Sequence, residues 1–251
     1  MELYKKHRPG MLKEVVGQSE AVRTLSGYIK RNEVPHAILF TGPSGCGKTT
    51  LARILRVKLN CSDPDFNELN CADFRGIEMV RDIRSSMSLG ALGECRVWLI
   101  DECHRLTPDA QDAFLKILED TPRHVYFMLA TTEPGKLKQT IKTRCTEIKL
   151  SLLSEDHART LVTRTAEAEG VTLDVQVVDK LVDCAGGSAR KLLVLLDSVV
   201  GLKTMDEQLK AISAGAHEVE AIALARILIK PNASWSEIAK IVKGLDDDVE
   251  S

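Results

Sequence analysis

Gly42-Pro43-Ser44-Gly45-Cys46-Gly47-Lys48-Thr49-Thr50 satisfies the pattern G-x-x-x-x-G-K-[ST] at every fixed position. The spacing has a physical meaning. Glycines let the backbone curl until successive N–H groups point inward, and a following helix adds its positive N-terminal end, so the stretch suits the phosphates of a nucleoside triphosphate. Lys48 would reach the β- and γ-phosphates and Thr49 would ligate Mg²⁺, with Pro43, Ser44, Cys46 and Thr50 completing the loop. The motif carries weight only between a strand and a helix. Ala37-Ile38-Leu39-Phe40 before it is a short apolar run suited to a buried parallel strand. Residues 49–59 after it have helical spacing through Leu51, Ile54, Leu55 and Leu59.

Outward from the loop, apolar runs alternate with amphipathic helices as far as residue 150, which predicts an α/β fold: a parallel sheet covered by helices on both faces. The expected strands are 37–40, 67–70, 97–100, 125–130 and 146–150. Strand signals then stop. Ser154 caps a helix that ends at Gly170, Asp174 caps one ending at Gly186-Gly187, and Ser188 opens a third ending near Gly201. Past Met205 two more amphipathic helices are expected, 219–229 and 234–245, separated by Pro231. The expected organisation is therefore a sheet domain over 1–151, a small all-helical domain over 152–203, and the start of a further helical domain over 204–251.

A chain of 251 residues, 44% hydrophobic and 28% charged, has the composition of a soluble globular protein with a proper core. Its net charge of −2 argues against a uniformly basic nucleic-acid binder and leaves room for a local basic strip. No apolar stretch approaches membrane-spanning length, and Met1-Glu2-Leu3-Tyr4-Lys5-Lys6 lacks the apolar segment of a secretory signal, so the expected compartment is the cytoplasm. The seven cysteines are scattered without any C-x-x-C pair and read as reduced thiols.

Val97-Trp98-Leu99-Ile100-Asp101-Glu102 is an apolar strand ending in two carboxylates. Beside a triphosphate, Asp101 would hold Mg²⁺ through water and Glu102 would orient and activate an attacking water. Alone, the pair is equally an acidic strand end in solvent; Asp101-Glu102-Cys103-His104 also spells a helicase-like D-E-x-H box. Val125-Tyr126-Phe127-Met128-Leu129-Ala130-Thr131-Thr132 is a second buried strand, ending in hydroxyls. Thr132 is the candidate partner of the γ-phosphate or the attacking water, and Thr131 closes the strand.

Arg8-Pro9, Val16-Gly17-Gln18, the phosphate loop, Leu99-Ile100-Asp101-Glu102, Ala130-Thr131-Thr132 and Thr143-Arg144-Cys145 resemble the ordered motif series of AAA+ clamp-loader ATPases. These include the γ/τ subunit of bacterial DNA polymerase III and the replication factor C small subunits. Glu68-Leu69-Asn70-Cys71-Ala72-Asp73-Phe74-Arg75-Gly76-Ile77 is similar to a segment of the replication factor C type, and Leu118-Glu119-Asp120-Thr121-Pro122 to the bacterial γ type. The resemblance implies an AAA+ five-stranded parallel sheet, a helical lid and a collar-type region, with ATP and Mg²⁺ as cofactors. The absence of a guanine-reading N-K-x-D pattern agrees with ATP.

By the same resemblance, Arg144 would be an arginine finger pointing into a neighbouring subunit's ATP site, where its planar, permanently charged fork stabilises phosphate oxygens. Arg190 would be a second sensor, contacting the γ-phosphate of its own subunit. Tyr4, Arg8 and Pro9 would fold over the adenine, with Val16 and Gly17 beneath it; on charge alone that segment is equally a basic arm. Arg75 and Arg105 are candidate DNA contacts, or solvated charges. The implied partners are other clamp-loader subunits, a sliding clamp and primer–template DNA, and the implied activity is ATP-driven clamp loading. The four-cysteine zinc module of the bacterial γ type is missing, so no zinc is expected. Two alternatives stand beside this reading: another AAA+ DNA motor, such as a branch-migration helicase or helicase loader, and a nucleotide-binding scaffold with little hydrolysis.

Overall fold

The computed structural model describes residues 2–228, of which 217–228 are described by backbone only. They form two compact units, Arg8–Leu153 and a second made of Met1–His7 with the chain from Ser154 onward. A four-residue helix, α1 (Leu3–Lys6), opens the chain and belongs to the second unit.

The first unit is built on five strands: β1 (Ala37–Thr41), β2 (Phe66–Asn70), β3 (Arg96–Asp101), β4 (Val125–Thr131) and β5 (Thr146–Lys149). All pairings are parallel, in the order β2-β3-β4-β1-β5. The expected five-stranded parallel sheet is therefore present, with strand ends close to those read from the sequence. Period-two alternation divides its core into two faces. Ile38 and Phe40 of β1, Val97 and Leu99 of β3, and Met128 and Ala130 of β4 point to one face, packed against Leu25 of α2 (Ser19–Arg31) and Leu51, Ile54 and Leu55 of α3 (Lys48–Lys58). Leu39, Trp98, Ile100, Phe127 and Leu129 point to the other, beneath α4 (Ile77–Met87), α5 (Pro108–Glu119) and α6 (Gln139–Arg144). The central strands are apolar at nearly every position because both faces are covered. Each large side chain so buried contributes about 1.5–3 kcal/mol.

Because every strand runs the same way, all five carboxyl ends meet along one edge of the sheet. That edge holds the turn after β1, the two carboxylates at the end of β3 and the two threonines at the end of β4. In open parallel sheets this is the edge where ligands bind.

The second unit contains α7 (Glu155–Ala168), α8 (Val175–Ala185), α9 (Ala189–Val199) and α10 (Met205–Leu228). Ser154, Asp174 and Ser188 accept backbone N–H groups of His157, Gln176 and Lys191, the three caps read from the sequence. Each such cap stabilises its helix by about 1 kcal/mol. Residues 2–7, expected with the sheet domain, instead group with these helices. The cause is long-range packing: Leu3 is buried, α1 lies against α9, and Lys6 and His7 both pair with Glu169.

The helix expected at 219–229 is part of one longer α10 that begins at Met205. Gly215 inside it marks a close approach, since a Cβ there would lie 3.2 Å from Leu195 Cδ2 on α9. The helix expected at 234–245 lies outside the described residues. Among the described residues no helix is long and apolar enough to cross a membrane.

Candidate active site

The turn after β1 is shaped by glycines in conformations other residues avoid: Gly42 at φ 148°, Gly45 at 74° and Gly47 at 107°. Gly42 also admits no side chain, because a Cβ would sit 2.3 Å from the Leu150 carbonyl oxygen. The loop runs directly into α3, whose first residue is Lys48. Lys48 is buried, and its Nζ donates to the Gly42 and Pro43 carbonyls at 2.8 Å each, which places the ammonium inside the loop's curl. Burial pushes the neighbouring Cys46 thiol above its ordinary pKa, so it fills space rather than reacting.

Two strands away, Asp101 ends β3. Thr49 Oγ1 donates to Asp101 Oδ2 at 2.9 Å, so a hydroxyl and a carboxylate face one point, a donor set that suits Mg²⁺. Glu102 follows with a left-handed backbone, φ 52° and ψ 38°, and its N–H donates to Asp101 Oδ1 at 2.9 Å. A non-glycine residue in that region costs of order 1–3 kcal/mol, strain of the kind that gathers where side-chain direction matters. Thr132 Oγ1 donates to Glu102 Oε2 at 3.4 Å, which brings the two predicted site residues together. Thr131 is fully buried and ends β4.

The other predicted residues stand on separate elements. Arg144 ends α6 and is exposed; it pairs with Glu119 and donates to the Thr140 carbonyl at 3.2 Å. Arg190 lies on α9 in the helical unit, its guanidinium 5.8 Å from the centre of the Tyr4 ring. Arg8, Pro9, Val16 and Gly17 lie in the sheet unit, between α1 and α2 in the chain, with Gly17 at φ 76°. Arg75 and Arg105 are both exposed, on segments joined by a hydrogen bond from Thr107 N to Arg75 O at 3.1 Å.

Three further buried polar residues were assigned no individual role by the sequence, although two of them stand inside its motifs. Gln18 donates to the Cys46 carbonyl at 3.3 Å and to the Ser151 carbonyl at 2.7 Å, stapling the phosphate loop to the chain after β5. Gln111 donates to the Leu106 carbonyl at 3.2 Å and accepts from Lys138 N at 2.9 Å. His104 sits among Glu102, Thr131 and Glu133, and burial holds its pKa below the usual range although both carboxylates act to raise it. Membership of Val16-Gly17-Gln18 and of the D-E-x-H box was the local signal for Gln18 and His104; Gln111 offers none beyond a glutamine on the apolar side of a helix.

Loop, hydroxyl–carboxylate pair and strand-end glutamate thus converge at the carboxyl edge of the sheet. Residues 38–152 match the family described as AAA, ATPase family associated with various cellular activities. The chain carries an AAA ATPase domain. It is similar to DNA polymerase III subunit gamma/tau of Mycobacterium tuberculosis, 35% identical over 80% of this chain and 39% of that protein. It is likewise similar to DNA polymerase III subunit gamma of Buchnera aphidicola, 32% identical over 83% of this chain and 63% of that protein. DNA polymerase III subunit tau of Escherichia coli is 30% identical over 92% of this chain and 40% of its own length. The chain therefore spans less than two thirds of each of these relatives.

Among solved structures, Thermotoga maritima RuvB, a Holliday junction branch migration motor, superposes with a TM-score of 0.69 at 23% identity, over 95% of this chain and 85% of that one. A point mutant of the same protein gives 0.72 at 21% identity, over 96% and 85%. At that identity the likeness speaks for the AAA+ fold alone.

Proposed function

We propose that this AAA ATPase domain is the motor of a clamp-loader subunit, which binds and hydrolyses ATP to load a sliding clamp onto primer–template DNA. The observation that carries the reading is the convergence of Thr49–Asp101 and Thr132–Glu102 beside the curled loop, in a chain related to DNA polymerase III γ/τ subunits over most of its length. Lys48 and the loop N–H groups would hold the triphosphate, and Thr49 and Asp101 the Mg²⁺, which screens the phosphate charge when bound. Glu102 orients and deprotonates water, and the Thr132 hydroxyl fixes the carboxylate that does so. Tyr4, Arg8, Pro9, Val16 and Gly17 are assigned to the nucleotide base, and Arg190 to sensing of the γ-phosphate. Arg144, exposed at the end of α6, is the finger offered to a neighbouring subunit. Arg75 and Arg105 are assigned to DNA phosphates, and the working place is the cytoplasm.

The test is Glu102→Gln in the full-length protein with its partner subunits. ATP binding should persist while DNA-stimulated turnover falls by on the order of a hundredfold or more to a small residual rate; undiminished turnover would overturn the assignment. Clamp loading measured beside branch migration separates the proposed role from that of a junction motor, and strand movement without a clamp would favour the latter.

A further inference from the structure

His104 is buried, and its polar neighbours are a hydroxyl and two carboxylates. Nδ1 lies 3.0 Å from Thr131 Oγ1 and 3.4 Å from Glu102 Oε2, while Nε2 lies 3.2 Å from Glu133 Oε1. The partners assign the tautomer. The Glu133 carboxylate can only accept, so in the neutral ring the proton sits on Nε2 and is donated to Glu133. Nδ1 is then an acceptor, and the Thr131 hydroxyl, whose oxygen accepts the Glu133 N–H at 3.0 Å, donates its proton to it. Glu133 is anchored in turn by Lys136, 2.6 Å away.

In this arrangement Nδ1 stands 3.4 Å from Glu102 Oε2 without offering it a proton, its lone pair being taken by the Thr131 hydroxyl. The imidazole closes one side of the carboxylate and leaves the Thr132 hydroxyl as its donor. The opposite tautomer would turn a bare ring nitrogen toward Glu133 and forfeit that bond. The left-handed backbone of Glu102 sets where its side chain starts, and the buried ring limits where it ends.

We propose that His104 is a positioning residue for Glu102: locked between Thr131 and Glu133, its ring holds the Glu102 carboxylate in the one orientation from which it meets water. The inference rests on the reading of Glu102 as the water-activating group. It gives the D-E-x-H sequence a local meaning, since the fourth residue returns through a short turn (Cys103–Arg105) to stand beside the second.

The test is steady-state ATPase activity of the full-length protein with its partners. His104→Ala should lower kcat roughly tenfold, as losses of residues that orient a reacting group do, with the Kd for a fluorescent ATP analogue unchanged. His104→Asn, which keeps an acceptor at the Nδ1 position, should restore most of the rate, whereas a role in packing alone would leave Asn no better than Ala. In a Glu102→Gln background, adding His104→Ala should cost nothing more. Unchanged kcat in His104→Ala, a matching loss of nucleotide affinity, or a full further loss in the double variant would each overturn the proposal. Undiminished turnover in Glu102→Gln alone would instead overturn the reading of Glu102, so the two failures are distinct.

Discussion

The two ends of the same strands carry opposite kinds of polar cluster. At the amino ends, Asp65 is 1% exposed and saturated: it accepts from Ser62 Oγ at 2.6 Å, from Gly93 N at 2.8 Å and from Arg96 Nη2 at 3.3 Å. Arg96 spends its other donors on the Ser86 and Gly90 carbonyls. Burial alone would raise the Asp65 pKa, but bonds from Ser62, Gly93, Leu92 and Arg96 outweigh it and hold the group at about 2. At the carboxyl ends, Lys48 curls onto its own loop, Thr49 and Asp101 share a bond, and Glu102 stands on strained backbone with two long contacts, to Thr132 and His104. A cluster whose members complete one another fixes the fold; one that leaves charges and donors converging on a common point is built to receive something.

The contrast is broken most severely by Glu102→Gln, which should cut turnover by on the order of a hundredfold or more while leaving the urea midpoint where it was. Gly42→Ala comes next and strikes both properties. Its Cβ would meet the Leu150 carbonyl at 2.3 Å on a φ of 148°, so roughly 1–3 kcal/mol of stability should go together with nucleotide affinity. If urea unfolding and analogue binding both stayed unchanged, the close approach would not be what demands glycine.

Asp65→Asn should do the reverse of Glu102→Gln, costing roughly 2 kcal/mol in urea unfolding with nucleotide affinity untouched. The pH dependence has a definite sign. A folded pKa of about 2 lies below the unfolded value, so the Asp65 contribution is complete above about pH 4 and is lost as pH falls through 2. The wild-type midpoint should therefore drop more steeply than that of Asp65→Asn between pH 4 and 2; parallel curves would refute the saturated cluster. The smallest effect is expected outside both clusters. Lys210→Ala removes an exposed pair with Asp206 at 2.7 Å and should leave both midpoint and turnover unmoved.

How much of this was legible in the sequence follows the range of the interactions. The strands and the caps at Ser154, Asp174 and Ser188 are local patterns, and each is where periodicity and capping chemistry put it. That the phosphate loop, Asp101, Glu102 and Thr132 would meet along one edge was legible because parallel topology brings strand ends together and the motifs sat at strand ends. The left-handed backbone of Glu102 was not, since a glutamate gives no sign of positive φ. Nor was the place of residues 2–7, which depends on Glu169 far along the chain. The bonds of Gln18 and Gln111 were hidden for the same reason: each satisfies backbone groups distant in sequence, and such bonds leave no period to read.

The Gln18 staple has a consequence for how the chain assembles. The helical unit is split: its first piece ends at His7, and the rest resumes at Ser154. During synthesis α1 emerges early and has nothing to pack on until α9 has been made, so their contact must close a loop containing the whole sheet unit. Closing so long a flexible loop carries an entropy penalty that grows with the logarithm of its length. Once the sheet unit has folded, the bonds from Gln18 to Ser151 hold the chain just after its entry beside the chain just before its exit. The long loop becomes a compact insert with its ends gathered, and the two pieces of the helical unit can then meet at far smaller cost.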